Sequence, residues 1–237
     1  MNQTNIHNLL STSVLALLLL VACQSKNSPK SDESAALVAV DRVAFELILD
    51  DVTRLDSLLN QIDEISMDSY QWKNHIVLFG EVKDTIGVRD LLLNTGVNLK
   101  IKTYDNPFYV FDREQHCGDS LVLKPWKNYL LTANLVADSL LQKEYMHYHA
   151  VQFDKWPEVA NGFCNAQFQQ LLVYRNERQL MLVISVPADK TLDELNPITE
   201  ENNPRVAEWN QLMSRYQEGI AGTAPGESWV FFEPVSQ

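Results

Sequence analysis

Residues 169–186, QQLLVYRNERQLMLVISV, decide how the chain folds. The runs 169–174 and 179–186 are rich in Leu, Val and Ile, a strand composition, and the polar RNER between them marks a turn. A β-hairpin is predicted. Upstream, Tyr129, Leu131, Ala133 and Leu135 alternate as a strand, and Ser139 with Gln142 forms a capping-box opening for a helix. Downstream, Asn203 and Pro204 supply the N-cap and first position of a second helix running to Gly219, and SWVFFE at 228–233 closes as a strand. The resulting order, β-α-β-β-α-β, is ferredoxin-like.

The preceding part follows a looser version of this order. Val43, Phe45, Leu47 and Leu49 alternate with Ala44, Glu46 and Ile48, which predicts a half-buried strand. Leu55, Leu58, Leu59, Ile62 and Ile65 recur at helical spacing. A strand at 76–82, a short helix at 84–94 and the alternating Val97, Leu99 and Ile101 follow, and FYVF at 108–111 continues the sheet. The expected fold class is therefore α+β: two tandem ferredoxin-like units, 40–115 and 126–237. Their sheets would pack face to face as a pseudo-dimeric α+β barrel, so that a monomer carries its own pairing.

A net charge of -12 over 237 residues repels phosphate backbones and anionic surfaces, which excludes nucleic acid as a partner and favours an uncharged small molecule. The apolar run VLALLLLVA at 14–22 is short for a bilayer span and stops at Cys23. Together LVAC at 20–23 resembles the lipobox of bacterial lipoproteins. The expectation is a signal peptide over 1–22, a lipidated Cys23, a polar tether to residue 39, and anchoring to a membrane of the bacterial envelope, periplasmic or surface-exposed. Export would permit Cys117 and Cys164 to pair; two free, buried thiols fit the sequence equally well.

The segment 144–158, EYMHYHAVQFDKWPE, concentrates the chemistry. On a helix Tyr145 and His149 share one face while His147 points elsewhere. Trp156 precedes Pro157, so the helix breaks there and can swing an indole toward the sheet. An imidazole titrates near neutrality and can move a proton in either direction, and a phenol one turn away can orient it or contact a substrate. His75, opening a strand, reads as structural, and His116 with Cys117 lacks a second pair at metal-ligand spacing. Trp126, Tyr129 and Trp229, in or beside strands, read as core. No phosphate loop, nucleophile elbow or dinucleotide fingerprint occurs, and no cofactor is expected.

Five blocks in register, EYMHYH, WPE, LLVYRNERQLMLVISV, NPRVAEWNQLM and VFFEP, make residues 126–237 resemble the L-rhamnose mutarotase family. These are small ferredoxin-like proteins that pair as dimeric α+β barrels and interconvert sugar anomers. The resemblance implies a cofactor-free isomerase acting on the α and β anomers of a 6-deoxyhexose such as L-rhamnose or L-fucose. It makes His149 the catalytic acid/base and Tyr145 a substrate contact, with Trp209 and Trp156 forming an aromatic wall. Departures from the family are also visible: Asn210 replaces a second tryptophan, Leu171 takes the place of a sugar-contacting tyrosine, and extra residues separate His149 from Trp156. These losses leave a non-catalytic sugar-binding lipoprotein as the alternative. Residues 40–115 carry none of the blocks and are expected to be a degenerate partner.

Overall fold

The computed structural model describes residues 42–62, 65–118 and 122–235. The expected signal peptide, lipidation at Cys23 and tether all fall outside the described residues. Among those described, no helix is long and apolar enough to cross a membrane.

The first half runs β1 (Arg42–Leu49), α1 (Leu55–Ile62), β2 (Asp68–Trp72), β3 (His75–Glu81), α2 (Thr85–Leu93) and β4 (Leu99–Tyr104). Its sheet order, β4-β1-β3-β2, is antiparallel. Strand β2 was not anticipated, because DSYQW carries no apolar alternation. It forms a tight hairpin with β3 through Lys73, whose φ of 54° turns the chain. This half is thus a complete β-α-β-β-α-β unit.

After β5 (Tyr109–Asp112) and the short α3 (Arg113–His116), the second half repeats the order. It comprises β6 (Trp126–Leu135), a helical layer of α4 (Ser139–Ala150), α5 (Gln152–Lys155) and α6 (Pro157–Asn165), then the hairpin β7 (Gln170–Asn176) and β8 (Gln179–Pro187). The short α7 (Leu192–Leu195), then α8 (Pro204–Met213), β9 (Gln217–Glu218) and β10 (Val230–Pro234) complete it. The order β10-β6-β8-β7 matches that of the first sheet.

Two seams join the sheets. Strand β10 pairs with β2, and β5 pairs with β7, with Tyr109 opposite Val173. The strand path ends at β4 and β5, and it curls so that its ends approach: Asn176 of β7 donates to the Thr103 carbonyl of β4 at 3.1 Å, and the two halves share one interior core. This curl overturns the half-buried expectation for β1. Val43, Phe45, Leu47 and Leu49 face α1 and α2, but Ala44 and Glu46 are also fully buried, because their side of the strand is the barrel interior. That interior interleaves both halves: Ala44, Phe79 and Tyr104 meet Leu172, Tyr174 and Met181.

Glu46 is the exception among these apolar contacts. Its carboxylate takes a 2.7 Å contact from His75 Nδ1, 2.9 Å from the Tyr104 hydroxyl and 3.0 Å from Gln179 Nε2, with Lys102 Nζ at 3.6 Å. Burial pushes the carboxyl up, but the His75 ring, Lys102 and Gln179 outweigh it and hold it below the ordinary carboxylate range. A buried charge with this many partners fixes the register of the two halves, since Gln179 belongs to the second sheet and Glu46 to the first.

Local endings also differ from expectation. The cap of α4 is Asp138, whose Oδ1 accepts from Leu140 and Leu141 N–H, while Gln142 reaches back to the Val136 carbonyl. Helix α8 ends at Met213 rather than running to Gly219, and the chain turns through residues 214–216 into β9. Cys117 and Cys164 form a disulfide, which ties α3 to α6.

Candidate active site

In both halves the first helix buries an i, i+4 pair against its sheet. In α1 the pair is Leu58 and Ile62; in α4 it is Tyr145 and His149, which are 2% and 8% exposed. A cavity of about 430 Å³ opens between the helices and the sheet of the second half. Small-molecule sites commonly hold about 300–1,000 Å³, so this one is of ordinary size for a compact ligand.

The cavity lining has two chemical characters. Its floor is apolar, built by Leu171, Val173, Leu182 and Ile184 from the hairpin with Val159 and Phe163 from α6. Asn196, Asn210, Ser214, Gln217 and Ser228 line it with polar atoms. Tyr145, His149 and Trp209 lie on its wall.

His149 has a defined tautomer. Its Nδ1 is 3.0 Å from the carbonyl oxygen of Tyr145, which can only accept, so Nδ1 carries the proton and Nε2 keeps its lone pair. Rings enclose the imidazole: Tyr145 at 4.3 Å between centroids, Tyr109 at 5.2 Å, Trp209 at 5.3 Å and Phe108 at 5.6 Å. Burial lowers its pKa to about 4, against the smaller upward pull of the carbonyl. The residue is therefore a neutral base at physiological pH. Burial drives the Tyr145 phenol the other way, far above its ordinary value, so it stays protonated.

The other expected site residues divide. Trp209 lines the cavity and Asn210 stands beside it, its Nδ2 donating to Glu200 Oε1 at 2.6 Å. Leu171 is on the floor. Trp156 lies outside the cavity lining, 5.6 Å from the Trp209 ring, with the Arg205 guanidinium 3.8 Å from its own ring centre. The break at Trp156 turns the indole along α8 rather than into the sheet. His147 is exposed. His116 stacks on Phe153 at 3.9 Å, and His75 serves Glu46.

Three residues of the site were not anticipated. Trp229, read as core, lines the cavity, and its Nε1 donates to Gln217 Oε1 at 2.9 Å. The sequence around Gln217 predicts helix, but β9 holds it opposite Leu135 at the cavity wall. Tyr109 comes from the strand between the halves, and its hydroxyl donates to Gln152 Oε1 at 2.7 Å. Gln152 in turn donates to the Trp156 carbonyl, so one fully buried amide fixes both Tyr109 and the helix break. The FYVF motif was visible in the sequence; its use as a cavity wall was not.

Comparisons with known proteins agree with the sequence blocks. Residues 129–236 match the family model described as L-rhamnose mutarotase. The chain is 29% identical over 92 residues to the L-fucose mutarotase of Xanthomonas campestris pv. campestris, an alignment covering 39% of this chain and 72% of that protein. Solved structures include a major regulator of staphylococcal pathogenesis, at 9% identity and a TM-score of 0.45, covering 82% of this chain and 99% of that one. A monooxygenase-like protein from Listeria innocua follows, at 12% identity and 0.40, covering 83% and 96%. These two likenesses are too distant to carry an argument, and the strand order itself defines the fold. The resemblance of the C-terminal half to the L-rhamnose mutarotases is shown.

Proposed function

We propose that this chain, whose C-terminal half resembles the L-rhamnose mutarotases, is itself an aldose mutarotase acting on a 6-deoxyhexose of the L-rhamnose or L-fucose type. The observation that carries the reading is the pairing, in one cavity, of a neutral imidazole with a free Nε2 lone pair and a protonated phenol one helical turn away. Nε2 of His149 takes the proton of the anomeric O1–H as the C1–O5 bond breaks, and the Tyr145 hydroxyl gives its proton to O5. The open aldehyde then rotates about C1–C2. O5 attacks the other face of C1, its proton returns to Tyr145, and the carbonyl oxygen takes the proton held on His149. Atoms and charges balance without a cofactor.

The substrate class follows from the mixed lining of the cavity. The indole of Trp209 suits the C–H face of a pyranose. The Leu171, Val173, Leu182 and Ile184 floor accepts a methyl group, whereas a hydroxymethyl there would lose its hydrogen bonds to water without replacement. Two further parts of the proposal rest on other support. The LVAC segment supports lipidation at Cys23 and an envelope location. The joining of the two sheets into one strand path within a single chain, through β2–β10, supports a monomer.

Saturation-transfer NMR of anomer exchange on L-fucose and L-rhamnose tests the activity. Wild-type protein should accelerate exchange and His149→Ala should not. Equal rates for the two would remove the proposal, and sugar binding by calorimetry without exchange would replace it with a non-catalytic binding role. Metabolic palmitate labelling that persists in Cys23→Ser would refute the anchor.

A further inference from the structure

We infer that Gln217 is a positioning residue that, held by Trp229, directs the Tyr145 hydroxyl proton into the cavity. The inference rests on the mutarotase reading and adds to it a part of the site that none of the sequence blocks contains. The direction of the chain is fixed by chemistry rather than by choice. An indole N–H can only donate, so the Gln217 atom 2.9 Å from Trp229 Nε1 must be the carbonyl oxygen. The amide nitrogen is then turned toward the Tyr145 oxygen, at 3.4 Å. That oxygen is therefore an acceptor on its Gln217 side. Its own proton must leave in another direction, and the cavity that Tyr145 lines is where an acceptor, the ring oxygen of a sugar, would be.

The backbone makes the arrangement possible. Strand β9 pairs with β6, with Gln217 opposite Leu135, so the side chain is held from the sheet rather than from a mobile turn. Trp229 lies just before β10 and lines the same cavity. The same amide N–H bonds the phenolate that forms when Tyr145 has given up its proton more strongly than it bonds the phenol, and this gain acts on kcat.

Gln217→Leu, Gln217→Glu and Trp229→Phe test this, read by anomer exchange and by the indole N–H resonance of Trp229, assigned as the peak lost in Trp229→Phe. Gln217→Leu should lower kcat about tenfold with KM little changed, which is the loss of one hydrogen bond specific to the transition state. In Gln217→Glu an ionised carboxylate would draw the Tyr145 proton toward itself, so activity should recover as pH falls and that carboxylate is protonated, a slope opposite to wild type. The Trp229 resonance should move in both Gln217 variants. Wild-type exchange with Gln217→Leu within twofold of it and a wild-type pH profile in Gln217→Glu would overturn the positioning role and leave the mutarotase reading standing. Absence of exchange in the wild type would overturn both.

Discussion

The depressed pKa of His149 gives the most stringent prediction, because it links fold stability and catalysis to one group. In the folded chain the imidazole titrates at about 4; in the unfolded chain it returns to an ordinary value of about 6.5. Between those values the unfolded state binds a proton that the folded state does not, so stability is full above about pH 6.5 and falls as pH drops toward 4. From pH 8 to pH 5 the loss is about 2 kcal/mol, and it approaches about 3 kcal/mol below pH 4. Urea unfolding of wild type and His149→Gln at both pH values isolates this contribution, since the other titrating groups, including His116, which burial also lowers, are common to both. The stability difference between the two proteins should change by about 2 kcal/mol over that range, in the sense that wild type loses more on acidification. Activity should persist to about pH 5 rather than fall through 6.5. A wild-type stability profile parallel to that of His149→Gln, or an imidazole seen by NMR to titrate near 6.5, would refute the burial argument.

Other expectations follow from packing and covalent structure. Joining Cys117 to Cys164 closes a loop of 47 residues, so Cys117→Ser with Cys164→Ser should destabilise the fold by about 4 kcal/mol on the chain-entropy scale, measured by urea unfolding. Glu46→Ala leaves Lys102 and His75 facing a buried gap and should cost about 3–5 kcal/mol in the same assay, while a loss under 1 kcal/mol would mean the network is not holding the halves in register. A sugar differing from its 6-deoxy counterpart only by a C6 hydroxyl should be turned over about ten to a hundredfold more slowly, the equivalent of an unpaired buried hydroxyl. Equal rates would show that C6 does not reach the Leu171 floor.

The strand order of the second half was legible because its elements obey period rules: the hairpin at β7 and β8, the Pro204 start of α8 and the alternation in β6. Strand β2 was not, since only Ser69 and Tyr70 of DSYQW are buried, by contacts across the sheet that the local pattern does not encode. The depth of burial of Ala44 and Glu46 was hidden for the same reason, as the shared interior places a second core on the strand's polar-looking side. Tyr145 and His149 could be found from one helical face. Gln217 could not: the string RYQEG reads as helix, and only the pairing of β9 with β6 turns its amide toward Tyr145. Trp156 misled because the geometry of a pre-proline break says where a helix stops but not which way the next side chain packs.

The two halves share a fold but not a site, and the difference comes down to a few side chains. In the first half Leu58 and Ile62 occupy the helical positions that Tyr145 and His149 take in the second, and their aliphatic bulk packs directly onto the sheet, with about 1.5–3 kcal/mol gained for each. In the second half that packing is given up for a cavity and a buried, neutral imidazole. The first half supplies what the second lacks. Its last strand runs on into β5, which pairs with β7 and carries Phe108 and Tyr109 against the edge of the His149 ring. Gln152, in the stretch that lengthens the path from His149 to Trp156, anchors Tyr109 in that position. A C-terminal piece cut before residue 105 would therefore lose the first sheet but keep Phe108 and Tyr109 against the imidazole; one cut after β5 would expose the imidazole to water, and the low pKa on which the neutral base depends would be lost with its burial.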